Sequence, residues 1–391
     1  GKRLYAATDI VNFLECEHLT ALDLQHLETP LQKAVDDEQA ELIKNKGFAH
    51  EAAYVQKLRE HHSSFIDIAA SGESREARYE ATTKAMHEGV QIIYQATFLD
   101  LPFLGYADFL RRVEKPSILG AYSYEVLDTK LARTARGKFI IQLAFYTDML
   151  ATVQGVVPQL MHVVLGDGRE EAFRVADYAH YFERLKTRFL TSVASRTDAK
   201  TYPFPCDHCD QCRWRDLCDA QWKADDHLCQ VANTLKTHIR KLNAAGVHTL
   251  EALARLPADA KVPKVPVPVL NRLRHQADLQ LRSRETGKNI VEVIVPDPAA
   301  PAEAGLRGFA RMPKPAAGDL FFDMEGNPLE VGGLEYLFGL YYFDGGKAVF
   351  KPFWAHSREQ ERIAFEAFMD FVTDHLAGHP GAHIYHYASY E

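Results

Sequence analysis

Gly105-Tyr106-Ala107-Asp108, Asp128-Thr129-Lys130 and Gln142-Leu143-Ala144-Phe145-Tyr146 follow one another closely, and this stretch decides the fold. The segments Val90 to Thr97, Phe103 to Arg111 and Tyr122 to Lys130 are rich in β-branched and aromatic residues, and read as successive strands. Ala132 to Leu150 then returns to helical periodicity. Alternate strand residues share a face, so Asp128 and Lys130 point the same way, and Asp108 on a neighbouring strand can meet Asp128 over a shared divalent cation. Hard carboxylate oxygens suit Mg2+ or Mn2+. His50, within a predicted helix from Gln32 to Glu60 that Gly47 interrupts, could add a ligand favouring Mn2+. Gln142 and Tyr146 lie four apart, on one helical face.

Taken singly, these letters say little. A solvated strand edge often carries Asp-x-Lys, and a Gln or a Tyr often caps a core. Their order makes the case: Gly-x-x-Asp, then Asp-x-Lys, then Gln-x-x-x-Tyr on the helix that follows.

Outward from this stretch, 391 residues with 47% apolar content can bury a sizeable core in two or three domains. No apolar run reaches the roughly 18 residues that span a bilayer, and Gly1-Lys2-Arg3 opens no signal-peptide pattern. A formal charge of −8 gives no global basic footprint, although a local groove can be basic on an acidic chain. Four of the six cysteines fall between positions 206 and 218, which argues for a metal-binding cluster in a reducing compartment, with the cytoplasm as the default.

The rest of the chain divides by composition. Residues 1–226 read as one mixed α/β unit, with an opening helix over Thr8 to Leu14, a strand over Gln159 to Leu165 and a long helix over Val175 to Ala194. Residues 227–294 read as helix, glycine turn, helix around Gly246, with Arg240, Lys241, Arg272, Arg274, Arg282 and Arg284 making the region basic. A helix–hairpin–helix whose turn amides hold a phosphate and a plain two-helix connector both explain these letters. Residues 295–318 read as a Pro/Ala/Gly-rich linker. Residues 319–391 begin another α/β fold: a buried strand carrying Asp323 and Glu325, two more strands, an amphipathic helix from Arg358 to Leu376, and a terminal strand from His383 followed by Glu391.

The ordered set His50, Asp108, Asp128, Lys130, Gln142 and Tyr146 resembles the RecB-like branch of the PD-(D/E)XK nuclease superfamily. More closely, Asp128-Thr129-Lys130-Leu131-Ala132 and the Cys212-Arg213-Trp214 segment resemble bacterial RecB-like nucleases fused to a superfamily-one helicase. The resemblance implies a restriction-endonuclease-like α/β core with helical additions that cleaves DNA, generally single-stranded and often from an end. A small helical hairpin domain and a partial RNase H-like domain would follow it. In that pattern Asp108 and Asp128 hold the metal with help from His50, Lys130 acts on the water, and Gln142 with Tyr146 positions DNA. Glu125, on the same strand but odd-spaced from Asp128, ranks second as a ligand.

Cys16 with Cys209-x2-Cys212-x5-Cys218 resembles the four-thiolate [4Fe–4S] arrangement of this branch, as in the AddB recombination subunit and CRISPR adaptation exonucleases. Such a cluster would staple the first helix to the last segment of the domain. Zn2+ is the rival, because Cys206, Cys209, Cys212 and Cys218 suffice for a tetrahedral site. On the iron–sulfur reading Cys206 is a bystander, and Cys229 reads as a small buried hydrophobe. Asp323, Glu325 and Glu391 resemble the opening motifs of a DEDD-type RNase H-like exonuclease, with the later acids expected beyond Glu391. The expectation is therefore a Mg2+- or Mn2+-dependent DNase from a longer helicase–nuclease of repair or defence, acting on single-stranded DNA and not at a membrane. The alternatives are a DNA-binding structural module whose centre has lost turnover, and a zinc-stabilised RNA-processing protein.

Overall fold

The computed structural model describes residues 3–35, 38–72, 74–195, 201–293, 308–328, 330 and 332–390. It divides into two compact units, residues 1–291 and 292–391. In the first, α1 (Ala7–Glu15) and α2 (Glu17–Glu28) lead into α3 (Glu38–His61). β1 (Phe65–Asp67) and α4 (Arg75–His87) come next. The motif-bearing elements follow: β2 (Ile92–Asp100), β3 (Phe103–Val113), β4 (Ser123–Thr129) and α5 (Gly137–Gln154). β5 (Leu160–Val164), β6 (Glu170–Arg174) and α6 (Val175–Ala194) complete the α/β part.

The six strands form one sheet in sequence order. β1 and β2 run parallel, β2–β3 and β3–β4 antiparallel, β4–β5 parallel, and β5–β6 antiparallel. All seven residues of β4 are buried, because α3 covers one face of the sheet and α5 the other. On the α5 side, Ile93, Leu110, Tyr124 and Val126 pack against Ile140, Leu143 and Phe145. On the α3 side, Phe109, Leu127 and Val164 pack against Leu58, Tyr54 and Val55. Gly105 makes the α5 contact possible, since a Cβ there would stand 2.9 Å from Met149 Sδ and 3.2 Å from the Tyr146 ring.

The helix expected from Gln32 begins at Glu38, and Gly47 lies inside it without breaking it. A mid-helix glycine costs about 1 kcal/mol relative to alanine, which a helix of 24 residues packed on a sheet can carry. The preceding residues are drawn out of helix by other contacts: Ala34 N–H donates to Arg213 O at 2.8 Å. Likewise α5 starts at Gly137 rather than Ala132, because Gly166 N–H bonds Ala132 O and Gly166 packs directly on the Leu131 carbonyl. The short, half-exposed β1 and the edge strand β6 carry no strong apolar signal, which is why composition does not announce them.

After the cysteine segment come α7 (Arg215–Ala224), α8 (Lys236–Ala244), α9 (Leu250–Ala254) and α10 (Val267–Thr286). Around Leu228, Leu242, Leu250 and Leu270, helices α8 to α10 build a small apolar core of their own. The turn at Gly246 (φ +82°) is a helix C-cap. The amides of Ala245, Gly246 and Val247 already donate to carbonyls of α8, so they are not free for a phosphate. Several of the basic residues are also engaged locally: Lys241 with Lys264 O, Arg274 with Leu256 O, Arg284 with Asp226. Most of the expected linker, residues 295–307, lies outside the described residues, apart from a 3-10 turn at Gly308–Arg311 that follows it.

The second unit has β7 (Leu320–Asn327), β8 (Leu334–Asp344), β9 (Lys347–Trp354), α11 (Arg358–Gly378) and β10 (Ile384–Tyr385). Its sheet order is β10-β7-β8-β9, with β10 and β7 parallel. Phe322, Met324, Phe338 and Leu340 pack toward Phe368 and Val372 of α11. The strand expected to be buried, β7, is buried on that face only: Phe321, Asp323 and Glu325 lie on the exposed one.

Candidate active site

The last regular rung between β3 and β4 is Phe109 opposite Leu127, so the next step brings Asp108 opposite Asp128. On the other side, Tyr94 pairs with Phe109 and Ala96 with Ala107, but Gln95 forms no regular rung at Asp108's level and has φ +55°. The β2–β3 ladder thus skips a rung at Asp108 and the β3–β4 ladder ends beside it, which leaves a notch in the hydrogen bonding of a packed sheet. A non-glycine residue in that backbone region is strained, and such strain concentrates at functional sites.

Asp128 is 1% exposed. Among the described residues neither of its carboxylate oxygens receives a well-angled hydrogen bond. Lys130 Nζ does lie 2.6 Å from Asp128 Oδ2, an ion pair by distance. The two observations agree if charge holds the contact while the carboxylate's lone pairs stay open. Burial, then the neighbouring Asp128, push the Asp108 carboxyl well above the usual carboxylate range. A proton on Asp108 can bridge to Asp128; when both ionise, two buried anions face each other with too few donors. A divalent cation would take the place of that proton, and hard oxygens suit Mg2+ or Mn2+, so these residues fit the metal that the motif implies.

Lys130 follows the last residue of β4; its own N–H donates to Val164 O at 2.8 Å and its ammonium lies over the Phe139 ring. From α5, Tyr146 stands within electrostatic reach of Asp108 and Asp128, and the Gln142 side chain one turn before it acts on its hydroxyl. Burial, followed by the two carboxylates, holds its hydroxyl protonated by raising its pKa. α3 reaches the same end of the sheet, since Gly47 packs against Leu131. One turn on, His50 has a buried Nε2 with no hydrogen-bond partner among the described residues.

Sequence reading missed Glu51. Its carboxylate accepts from Tyr94 Oη at 2.8 Å and from Gln95 Nε2 at 3.2 Å, and its charge is felt by Asp108. Its position beside His50 was a usable signal; nothing in the letters marks Gln95. Glu125, the runner-up ligand, belongs elsewhere. It is buried with Oε2 3.0 Å from His162 Nε2 and Oε1 3.1 Å from Lys115 Nζ, on the α3 face of the sheet.

The cysteines also converge. Cys16, at the junction of α1 and α2, lines one pocket with Cys206, Cys209, Cys212 and Cys218. Beside it Trp214, fully buried, donates to Asp23 at 2.8 Å, so side chains tie α2 to the cysteine segment. Burial, reinforced by neighbouring thiols, pushes Cys209 up to about 11 and Cys218 up to about 12. Crowded, protonated sulfurs of this kind suit a thiophilic metal, which takes their protons' place. Among the described residues no three His, Cys, Asp or Glu side chains stand ready-made as a metal-holding group, so binding at either centre would draw its ligands inward.

In the second unit Asp323 and Glu325 share the exposed face of β7, and Glu391 lies outside the described residues. Tyr390 donates to Glu335 at 2.7 Å and rests against Gly326, beside a bulge at Glu325/Gly326.

With this geometry in view, a family model for the PD-(D/E)XK nuclease superfamily matches residues 15–219, more than half of the chain. The chain belongs to the PD-(D/E)XK nuclease superfamily. A second model, for the RNase H superfamily, matches residues 320–391. The α/β architecture of both units agrees with these assignments. Comparison with curated proteins gives no match. Among the described residues, no helix of this nuclease-superfamily chain is long and apolar enough to cross a membrane.

Proposed function

We propose that the first unit is a Mg2+- or Mn2+-dependent DNase of the RecB-like branch, acting on single-stranded DNA from an end. The observation that carries this reading is the pair of buried, donor-poor carboxylate oxygens on Asp128, facing Asp108 and touched by Lys130. Asp108 and Asp128 would hold the metal, with His50 completing the set and Glu51 next to it. A cation held there would supply a more acidic water and neutralise charge on the scissile phosphate. Lys130 orients that water and offsets the negative charge that develops during attack. Tyr146, kept protonated, donates a hydrogen bond to the DNA backbone, and Gln142 holds its hydroxyl in place. Asp128 is almost inaccessible, and the low local dielectric around it strengthens each of these interactions.

The shared pocket of the five thiols supports the reading that Cys16, Cys209, Cys212 and Cys218 would hold a [4Fe–4S] cluster, closing the N-terminal helices onto the end of the domain. Partnership with a helicase, in repair or defence, belongs to the same reading. In the second unit Asp323 and Glu325 would begin a second metal-dependent site, to which Glu391 would contribute. The test is cleavage of end-labelled single-stranded DNA by anaerobically purified protein with Mn2+ or Mg2+, beside Lys130→Ala. Metal-dependent shortening from one end, lost in the variant, is expected; full activity in Lys130→Ala would move the catalytic centre elsewhere. No cleavage by intact protein would favour a binding module.

A further inference from the structure

The four-cysteine pattern leaves Cys206 without a part, yet its sulfur lines the same pocket as the other four. Cys206 Sγ and Cys209 Sγ are 3.8 Å apart. The two residues close a tight turn, Cys206-Asp207-His208-Cys209: Cys209 N–H donates to Cys206 O at 2.9 Å, and Cys206 N–H to Cys209 Sγ at 3.3 Å. A turn holds its first and fourth Cα atoms within about 7 Å, the range a disulfide needs. The other thiols are committed differently. Cys212 is buried with Leu19 and Trp214 and accepts the Trp214 N–H at 3.4 Å, whereas Cys229 packs on the small helical core.

We propose that Cys206 and Cys209 are a redox-active pair, which a peroxide joins as a disulfide, withdrawing Cys209 from the metal-binding thiol set. One thiol attacks a peroxide oxygen and gives its proton to the departing oxygen; the O–O bond breaks, the sulfur becomes a sulfenic acid, and water leaves. The second thiol attacks the sulfenic sulfur, an S–S bond forms, and the S–O bond breaks to give another water. Two thiols and one hydrogen peroxide thus give one disulfide and two waters, with sulfur oxidised and peroxide oxygen reduced. Cys16, Cys212 and Cys218 remain, one ligand short of four. The coupling to metal rests on the thiol-cage reading above; the pairing itself does not.

The full chain, stripped of metal by a chelator under anaerobic conditions, is treated with one equivalent of hydrogen peroxide, alkylated, and mapped by tandem mass spectrometry. Loss of two of the six alkylatable thiols is expected, with the bond located between Cys206 and Cys209. Cys206→Ser should keep its remaining thiols over the same interval, while Cys229→Ser should oxidise at the wild-type rate. A Cys209–Cys212 bond forming first, sulfinic acid in place of any disulfide, or wild-type thiol loss in Cys206→Ser would overturn the pairing. In the second arm, Zn2+ uptake is measured on reduced and oxidised chains. Uptake should fall on oxidation and return with dithiothreitol. Equal uptake in both states would overturn the coupling, and no uptake by the reduced chain would overturn the thiol cage while leaving the mapped pair intact.

Discussion

Glu125 and Asp128 stand three residues apart on the same buried strand, both acidic and both almost inaccessible, and their surroundings are opposite. Glu125 is fully answered. His162 lies between it and Glu170, at 3.0 and 2.8 Å, Lys115 reaches its other oxygen, and Arg111 grips Glu170 at 2.7 Å. Burial alone would raise Glu125, but His162 and Lys115 bring it below its ordinary value. Asp128 has one lysine at ion-pair distance, a second carboxyl opposite, and oxygens without aligned donors. A fold stabilises a buried charge by surrounding it with partners; it leaves one short of partners where something else is to bind. On that contrast we assign Glu125 to holding the sheet together and propose Asp128 for the chemistry.

Substitutions at these carboxylates separate the two roles. Asp128→Asn should lower metal-dependent cleavage by about 10³-fold or more, within the range that acid–base and electrostatic groups supply, while the folded content read by circular dichroism stays unchanged. Glu125→Gln should do the reverse. Taking away one of the two carboxylates on His162, and the one that Lys115 reaches, costs about 1–3 kcal/mol, read as a fall in denaturant midpoint, and cleavage per folded molecule should persist. Asp108→Asn relieves a buried like-charge contact, so the metal-free chain should gain on the order of 1 kcal/mol at neutral pH even as cleavage is lost.

The pH responses separate the two regions further. His162 is lowered by burial but raised on balance by Glu125 and Glu170, so its stabilising contribution is complete below its unfolded pKa and fades as pH rises through the folded value. Glu170, held at about 2 chiefly by His162, contributes above the ordinary glutamate range and fails as pH falls toward 2. The network should therefore stabilise most between roughly pH 4.5 and 6.5, and that maximum should flatten in His162→Gln. Asp108, raised, works with the opposite sign to Glu170: its protonated form favours the folded metal-free chain, so that contribution is lost as pH rises through its elevated pKa. Affinity for Mn2+ should increase over the same interval. A titration calorimetry series across pH checks this, the smallest of the expected effects.

The comparison also marks what the letters could and could not carry. The order of strands β2 to β4, helix α5 and helix α6 was legible because each has a strong period or a β-branched run. The α/β class followed from it. The proximity of Asp108, Asp128, Lys130 and Tyr146 was legible from motif order. Glu51 was not, because its meaning depends on Tyr94 and Gln95 on another element. The fate of Glu125 needed His162 and Glu170 from two later strands, contacts that no local spacing encodes. At Gly246 the local pattern was seen correctly, but whether its amides were free depended on the cap geometry.

The most direct test is Mn2+ binding to the metal-free chain, measured by calorimetry on wild type, Asp128→Asn and Glu125→Gln under conditions where all three are folded. Binding should be lost in Asp128→Asn and unchanged in Glu125→Gln. Retained binding in Asp128→Asn, or loss in Glu125→Gln alone, would contradict the placement of the catalytic metal at the Asp108–Asp128 notch.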